Sequence, residues 1–345
     1  MAIIYDAPVS PVDLTTFVRR VPLPNTLMLS SIFPTVLKRS SKVNFSEITK
    51  TNRTARFRAP DGRIHVADRD GYSDKSISMI PISDSRNNGE YERLQEEMAR
   101  LGGTRTEALS TAIYDDGQDL TLYAQNRIEQ ALGDVLVDGV FAPAELSGVS
   151  IDYGVPGANL ITVGTSWATS ATADGLSDLI AACDLYEAAN GFRPGGVLAS
   201  RAAQRQLVTQ TKVINAARGA QTGVTRVSLA DLTGIFDNEG VPTNWFTVET
   251  QLDIDGVSTR VLPADKVILI PPNPEDLLEF QLGVSATALE LVNSSEADFT
   301  FEDAPGLVGV VIKEGPPFRQ FTFVDGIGLP VLKDARKLMV LDVIP

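Results

Sequence analysis

The chain has 345 residues, of which 43% are hydrophobic and 21% charged, and its formal net charge is −14 at pH 7. These values describe an ordinary folded protein with room for one large domain or two. The absence of a run of about 18 apolar residues argues against a membrane span. We expect no secretory signal, because no basic stretch precedes an apolar run at the start. The single cysteine, Cys183, excludes an intrachain disulfide and a cysteine zinc cluster.

The charge is unevenly distributed along the chain. Residues 1–75 contain 12 Lys and Arg against 7 Asp and Glu, whereas the remaining 270 residues contain 18 against 37. A basic first quarter can bind nucleic acid or the acidic body of a neighbouring copy. We favour the neighbouring copy, because aromatic stacking residues and dense Lys/Arg clusters are scarce in this part of the chain.

The first 50 residues are rich in proline. Proline blocks both a long helix and a central strand. Residues 1–50 are therefore predicted to form an extended arm, with one or two helical turns over 12–20. Such an arm needs a surface on which to lie.

The stretch RFRAPDGRIHVADRDG, Arg56–Gly71, has the pattern of a two-stranded hairpin. Apolar residues alternate on both sides of a Pro-Asp-Gly turn, which supplies a fixed φ, a capping carboxylate and a residue free to adopt positive φ. An isolated hairpin is marginally stable in water, so this one should rest on its own body or on another chain. The residues predicted to make that contact are Arg56, Arg58, Asp61, Arg63 and Arg69.

The hairpin is followed by a return strand and a short helix. Ile77, Met79 and the segment Ile80–Ile82 indicate the strand, and EYERLQEEMARLGG indicates a charged helix that stops at two glycines.

The clearest helical pattern covers Asp116–Phe141. Apolar residues recur there at spacings of three and four, and Asp119 lies where an N-cap or first-turn carboxylate favours the helix dipole. A helix of about 20 residues spans about 30 Å, the width of a small domain. The residues predicted to form its core face include Leu120, Ile128, Leu132 and Val135.

The rest of the chain alternates between short strands and amphipathic helices. Strand patterns joined by Gly/Pro turns follow Pro143, a compact α/β pattern runs from about 170, and strands with almost no helix close the chain. The order is arm, hairpin, long helix, α/β module and closing strands, which is an α+β fold.

The sequence offers little for catalysis or metal binding. The only histidine, His65, lies in the basic hairpin, a poor place for a preorganised triad or metal site. The segment DIDGVSTR lacks the ligands of a calcium loop, so a hairpin turn at Asp255-Gly256 is expected. Asp115, Asp116 and Asp119 are explained by the dipole of a following helix, and Cys183 lies in an apolar helical pattern typical of a buried filler. We therefore predict no catalytic residue, no metal site and no cofactor.

Two longer phrases resemble a known family. VPGANLITVGTSWATSATADGLSDLIAACDLYEAANGFRPGGVLASRAAQRQL and APGLVGVVIKEGPPFRQFTFVDGIGLPVLKDARKLMVLDV are similar to the major capsid proteins of tailed bacteriophages, which share the HK-97-like fold. The resemblance is to the lambda-type major capsid protein E group, especially versions from phages of actinobacteria, and it covers most of the chain.

The resemblance implies a division into the segments of that family. Residues 1–50 would be the N-arm, 51–92 the E-loop, 93–171 the P-domain with its spine helix 116–141, and 172–315 the A-domain, with 300–315 as an alternative P-domain loop. Residues 316–345 would return to the P-domain.

The resemblance also implies function and partners. Copies would form hexamers and pentamers of an icosahedral shell around packaged double-stranded DNA, in the virion, after assembly in the host bacterial cytoplasm. The arm begins almost at Met1, so a separate scaffold protein is expected, together with a portal. Lambda-type relatives often bind a decoration protein, which makes one a candidate partner, and no membrane partner is expected. No motif matches the residue trio that cross-links some relatives.

Three alternatives stay open at this point. An encapsulin-like compartment shares the fold and would carry enzyme cargo. An acidic soluble α/β enzyme would need a polar cluster in a pocket near 170–270, where the sequence offers no candidate. A nucleic-acid-binding module would use the arginine hairpin and lose affinity with salt.

Overall fold

The computed structural model describes residues 9–48, 72–88, 106–146, 148–219, 223–294, 299–314 and 319–344. The helices within these ranges are α1 Pro11–Arg20, α2 Met28–Ile32, α3 Thr106–Asp138, α4 Gly175–Asn190, α5 Arg201–Thr209, α6 Thr211–Arg218, α7 Leu229–Glu239 and α8 Ala286–Asn293. The strands are β1 Thr35–Leu37, β2 Lys42–Ile48, β3 Tyr72–Ser78, β4 Ile80–Asn88, β5 Val140–Phe141, β6 Ile151–Asp152, β7 Leu160–Thr162, β8 Gly196–Ala199, β9 Trp245–Thr247, β10 Gln251–Ile254, β11 Val257–Arg260, β12 Lys266–Ile270, β13 Leu278–Leu282, β14 Val308–Glu314, β15 Arg319–Leu332 and β16 Met339–Asp342.

Helix α3 is the longest element, with 33 residues and a length of about 50 Å. It begins ten residues before the predicted start at Asp116 and ends three before Phe141, so the predicted bounds are wrong. The three acids predicted at its N-terminus therefore lie inside it. The helix stops where Gly139 adopts a φ of +77°.

One face of α3 forms the centre of the larger hydrophobic core. Leu120, Ile128, Leu132 and Val135 are each at most 5% exposed. They pack with residues of α1, α2 and the long strand β15. The four positions therefore lie where a central helix buries its apolar stripe.

The first sheet is built around β15. This 14-residue strand pairs antiparallel with β14 and β4 along its first part and with β13 along its last part, and β13 pairs in parallel with β1. Residues alternate along β15, with Gln320, Thr322 and Val324 buried and Phe321 and Phe323 partly exposed on the other face. Helices α1 and α3 lie on the buried face.

The second sheet has the order β7-β16-β12-β8-β9 and carries its own core. Its strands pair in both senses: β16 and β8 flank β12 antiparallel, whereas β7 and β9 join in parallel. The predicted division of the chain does not follow the two sheets. β16, predicted to return to the P-domain, lies inside this sheet, and β13, predicted within the A-domain, belongs to the first sheet, because strand pairing joins segments that are remote in sequence.

The N-terminal segment differs from the extended arm predicted for it. Over residues 9–37 it folds onto the body, where Leu14, Leu29 and Phe33 are fully buried. Pro11 does not block α1 but starts it, because a proline in the first turn loses no helical hydrogen bond and Ser10 caps the end through Asp13 N–H. The helical turns predicted over 12–20 are confirmed by α1, whereas the extended form predicted for the rest of the segment is not seen over residues 21–37; its assignment as an N-arm stays a prediction.

Candidate assembly interface

The predicted contact residues of the hairpin, Arg56, Arg58, Asp61, Arg63 and Arg69, lie outside the described residues, as do His65 and the charged helix predicted after Asn88. The structure does describe the strands that precede and follow residues 49–71. β2 and β3 pair antiparallel over seven residue pairs, from Lys42 opposite Ser78 to Ile48 opposite Tyr72. The predicted hairpin segment therefore begins and ends on paired strands.

These paired strands continue into the first sheet through β4. Nine residue pairs join β4 to β15, from Asn88 opposite Gln320 to Ile80 opposite Gly328. Within the described residues β4 has no strand on its other side. Pro81, which has no N–H to donate, fits such an edge position.

Arg86 connects β4 to helix α3. Its guanidinium donates to Asp116 Oδ1 at 2.9 Å and to the Tyr123 hydroxyl at 3.2 Å, and it lies 2.8 Å from Asp119 Oδ2. The hydrogen bond to Asp116 is the main cause that raises the pKa of Arg86 above its ordinary value. Because these partners are spaced by three and four residues, one face of α3 holds the planar guanidinium in a fixed position.

Glu129 holds a second junction, at the opposite face of α3. Its side chain is fully buried, and its two oxygens accept hydrogen bonds from Leu29 N–H at 2.8 Å and from Ser30 N–H at 2.7 Å. The Ser30 hydroxyl donates as well, at 2.6 Å, and Thr250 Oγ1 lies 3.5 Å away. Sequence reasoning missed this residue, although an acid between apolar positions of a helix is a signal for a satisfied buried carboxylate.

A groove of about 390 Å³ runs between β4 and α3. Its apolar lining includes Ile80, Ile82, Tyr123, Ala131, Phe141 and Leu146. Tyr123 and Leu146 are 46% and 41% exposed. At its rim Arg127 binds Glu145 at 2.6 Å and Gln130 at 2.8 Å.

A second, more open depression of about 410 Å³ lies elsewhere on the first sheet. Ile312, Phe321 and Phe323 line it together with residues 83–85 of β4. These are the partly exposed residues on the outer side of β14 and β15. The two hollows therefore share strand β4.

The cysteine, a tryptophan and the acidic turn that the sequence analysis examined for chemistry all have roles in packing or in a turn. Cys183 is buried, and burial raises the pKa of its thiol to about 11. Trp167 is fully buried and donates to Asp178. The predicted turn at Asp255-Gly256 is confirmed, with φ values of 52° and 83° and Ile254 paired with Val257. In the described ranges no three His, Cys, Asp or Glu residues are placed to hold a metal ion, and no helix there is long and apolar enough to cross a membrane.

Comparison with known proteins gives a family and a fold. A family model described as phage major capsid protein E matches residues 10–282. The fold is similar to that of the protein assigned as the capsid protein of a prophage in Escherichia coli CFT073, at 13% identity and a TM-score of 0.63, over 97% of this chain and 99% of that chain. It is also similar to a phage-related protein from Bordetella bronchiseptica RB50, at 13% identity and a TM-score of 0.59, over 99% and 98% of the two chains. No curated protein matches the sequence.

Proposed function

Because the chain belongs to the phage major capsid protein E family and is thus a structural subunit of a virion capsid, we propose that its copies form the hexamers and pentamers of an icosahedral head. The head would enclose double-stranded DNA, which the acidic body, with a net charge of −14 for the whole chain, would not bind tightly. The chain has the HK-97-like fold, and family membership favours the phage capsid over an encapsulin-like compartment.

The observation that carries the proposal is the set of paired strands on either side of residues 49–71. Nine pairs join β4 to β15, seven pairs join β2 to β3, and Arg86 fixes β4 to the central helix. An element anchored in this way can transmit force between subunits without unfolding its own subunit. This supports a role for the E-loop, residues 51–92, in contacting a neighbouring subunit, with the N-terminal segment 1–50 as a second contact.

The remaining partners follow from the proposed role. We expect a separate scaffold protein, a portal, and packaged DNA held by proximity, with a decoration protein as a further candidate. Assembly would take place in the host bacterial cytoplasm. A subunit whose work is mechanical needs no cofactor or catalytic residue, and we expect no enzymatic activity.

Expression with and without a candidate scaffold protein tests the proposal. Sedimentation velocity and negative-stain electron microscopy of the purified full-length chain should show closed shells, or capsomers with six-fold and five-fold symmetry. A monomer or small dimer under every condition would contradict it. Shells that enclose an enzyme instead of DNA would favour the encapsulin-like alternative.

A further inference from the structure

Residues 188–230 differ in charge from the acidic part of the chain to which they belong. They contain six Lys and Arg and no Asp or Glu, whereas residues 76–345 as a whole contain 18 against 37. This window holds β8, helices α5 and α6, and the connection that leads into α7. Positive charge is therefore concentrated on one part of the fold, in a chain whose net charge is −14.

Half of these six cations already have acidic partners. The ion pairs join Arg193 to Asp184 and Glu187, Lys212 to Asp174, and Arg218 to Asp231. The other three, Arg201, Arg205 and Arg226, are exposed. Among the residues that the structure describes, their guanidinium groups have no ion pair and no hydrogen bond. These three side chains are therefore available to an external anion.

The three arginines lie in a row along α5. Arg201 and Arg205 are four positions apart, so they leave the same face of the helix about 6 Å apart along its axis. Val227 N–H donates to the Val208 carbonyl at 3.0 Å, which places Arg226 beside the last turn of α5. This arginine row therefore extends over about 10 Å. Like charges at a spacing of four repel each other, so a bound anion would stabilise the helix.

One acid lies at the start of the arginine row, but its carboxylate is already held. Glu249 Oε1 accepts a hydrogen bond from the backbone N–H of Arg201 at 2.6 Å. The guanidinium of Arg260 lies 3.0 Å from the same oxygen. One carboxylate with two partners cannot neutralise three further guanidinium groups.

The surroundings of the arginine row favour a phosphate backbone over a protein surface as its partner. Protein interfaces centre on aromatic and large apolar side chains. Residues 193–230 contain no aromatic residue, and in the described part of this stretch Leu229 is the one large apolar side chain that is exposed. A guanidinium binds phosphate through two parallel hydrogen bonds. One strand of B-form DNA has a phosphate every 3.4 Å or so of its axis, so about three phosphates match the length of the row.

We propose that Arg201, Arg205 and Arg226 bind the phosphates of double-stranded DNA without reading its sequence. This inference rests on the proposed function, which supplies packaged DNA as the partner, and it names the surface of the subunit that contacts that DNA. The contact is local and weak, because the net charge of −14 repels DNA from the rest of the surface. A shell of many copies repeats the contact many times.

Fluorescence anisotropy of a labelled DNA duplex, titrated with the full-length protein before assembly, tests this inference. Three phosphate contacts predict a slope of about −2.7 for the logarithm of affinity against the logarithm of NaCl concentration, which is a loss of about 40-fold between 50 and 200 mM. Arg205→Ala should reduce the slope by about 1, whereas Arg205→Lys should retain it because the charge remains. Arg319→Ala is the matched control, because Arg319 is exposed at the start of β15, outside the row.

Replacing all three arginines of the row by alanine should abolish duplex binding, while electron microscopy shows the same particles as for the wild type. Absence of duplex binding by the wild type at 50 mM NaCl, or equal slopes for the wild type and this triple variant, would overturn the inference. If shells form in that case, the proposed function stays intact.

Two further results would also overturn the inference. A reduced slope in Arg319→Ala equal to that in Arg205→Ala would show that no particular surface binds the duplex. Tighter binding of labelled poly-glutamate than of the duplex at the same NaCl concentration would identify an acidic protein surface as the partner. If wild-type chains form no assemblies under any condition, the proposed function fails, and the inference fails with it because it loses its DNA.

Discussion

Glu129 and Ser30 are 99 positions apart in the chain, and the Glu129 carboxylate accepts two hydrogen bonds from Ser30, from its N–H at 2.7 Å and from its hydroxyl at 2.6 Å. The contact joins the N-terminal segment to the central helix. Thr250 Oγ1 donates to the carbonyl of Thr26 at 2.8 Å beside the same carboxylate, so a third segment meets at this point. Three remote parts of the chain thus converge on one buried charge.

We expect Glu129→Gln to lower the free energy of unfolding by about 1–3 kcal/mol. Glutamine has one side-chain oxygen, so its NH2 group would face a backbone N–H of Leu29 or Ser30 and leave that donor unsatisfied. Urea denaturation measures the change. Glu302→Gln is the control, because the Glu302 side chain is 80% exposed and its replacement should cost less than about 0.5 kcal/mol. Equal effects of the two changes would contradict the role given to Glu129.

Arg86→Lys should loosen strand β4 without unfolding the protein. A lysine ammonium is a point charge and cannot contact Asp116, Asp119 and Tyr123 at once. Because the Arg86 side chain is 39% exposed, we expect a loss of at most about 1 kcal/mol in global stability. Hydrogen exchange by mass spectrometry should show faster exchange in residues 80–88.

Arg39→Lys is the control for this prediction. The Arg39 side chain is 61% exposed and forms an ion pair with Glu302 at 3.6 Å, and neither residue belongs to β4. Hydrogen exchange in β4 should therefore not change in this variant. Unaltered exchange of β4 in Arg86→Lys would show that Arg86 does not hold the strand.

Replacement by alanine should change the stability of the protein in opposite directions at two helical glycines. A Cβ at Gly133 of α3 would lie 2.5 Å from Val261 Cγ1 and 2.6 Å from the Val261 carbonyl oxygen, so Gly133→Ala should destabilise by about 1–3 kcal/mol. A Cβ at Gly234 of α7 meets nothing within 4 Å, so Gly234→Ala should stabilise by about 0.5–1 kcal/mol through helix propensity. Thermal unfolding of both variants checks the signs. Stabilisation by Gly133→Ala would contradict the close approach of α3 to Val261.

Asp134→Asn should stabilise the isolated subunit at neutral pH. Burial, followed by Asp138 and Glu145, raises the pKa of Asp134 above its ordinary value of 3.8. For an acid whose pKa is higher in the folded state, ionisation opposes folding, and the lost stability returns as the pH falls through the folded pKa towards 3.8. The gain from the amide is expected to be about 0.5 kcal/mol at neutral pH.

The same variant at low pH is its own control. Once Asp134 is protonated in both states, below about pH 3, the amide should give little advantage. Denaturation profiles of the two proteins across pH would test this. A gain that does not depend on pH would show that the charge of Asp134 is not the cause.

Alanine at Arg56, Arg58 and Arg63 together should weaken assembly and leave the subunit folded. The change removes three charges from a segment that our account places on an acidic partner surface. Light scattering measures assembly and circular dichroism measures folding. Alanine at Arg201, Arg205 and Arg226, which are exposed elsewhere, is the charge-matched control. Normal shells from the first variant would refute the role of the hairpin arginines.

Local patterns predicted local structure well. The turn at Asp255-Gly256 and the core-facing positions of the central helix follow from turn chemistry and from a period near 3.6. The start of that helix was missed because Asp115, Asp116 and Asp119 were assigned to the dipole at its N-terminus, whereas all three lie inside the helix.

Features that depend on remote pairing were not predicted. β16 belongs to the second sheet and β13 to the first. No local sequence pattern indicates which of the two sheets a strand joins. The prolines of the first 50 residues indicated an arm, but buried Leu14 and Phe33 hold this segment on the body. The groove combines β4, the second half of α3 and the loop after it, which only the fold brings together.

The most direct test of the central claim is a cryo-electron microscopy reconstruction of the assembled shell, with residues 56–69 traced from their own subunit. Our account predicts a closed icosahedral shell built from hexamers and pentamers, with density for this segment on an adjacent subunit. A particle without hexamers and pentamers, or density for the segment only on its own subunit, would contradict it.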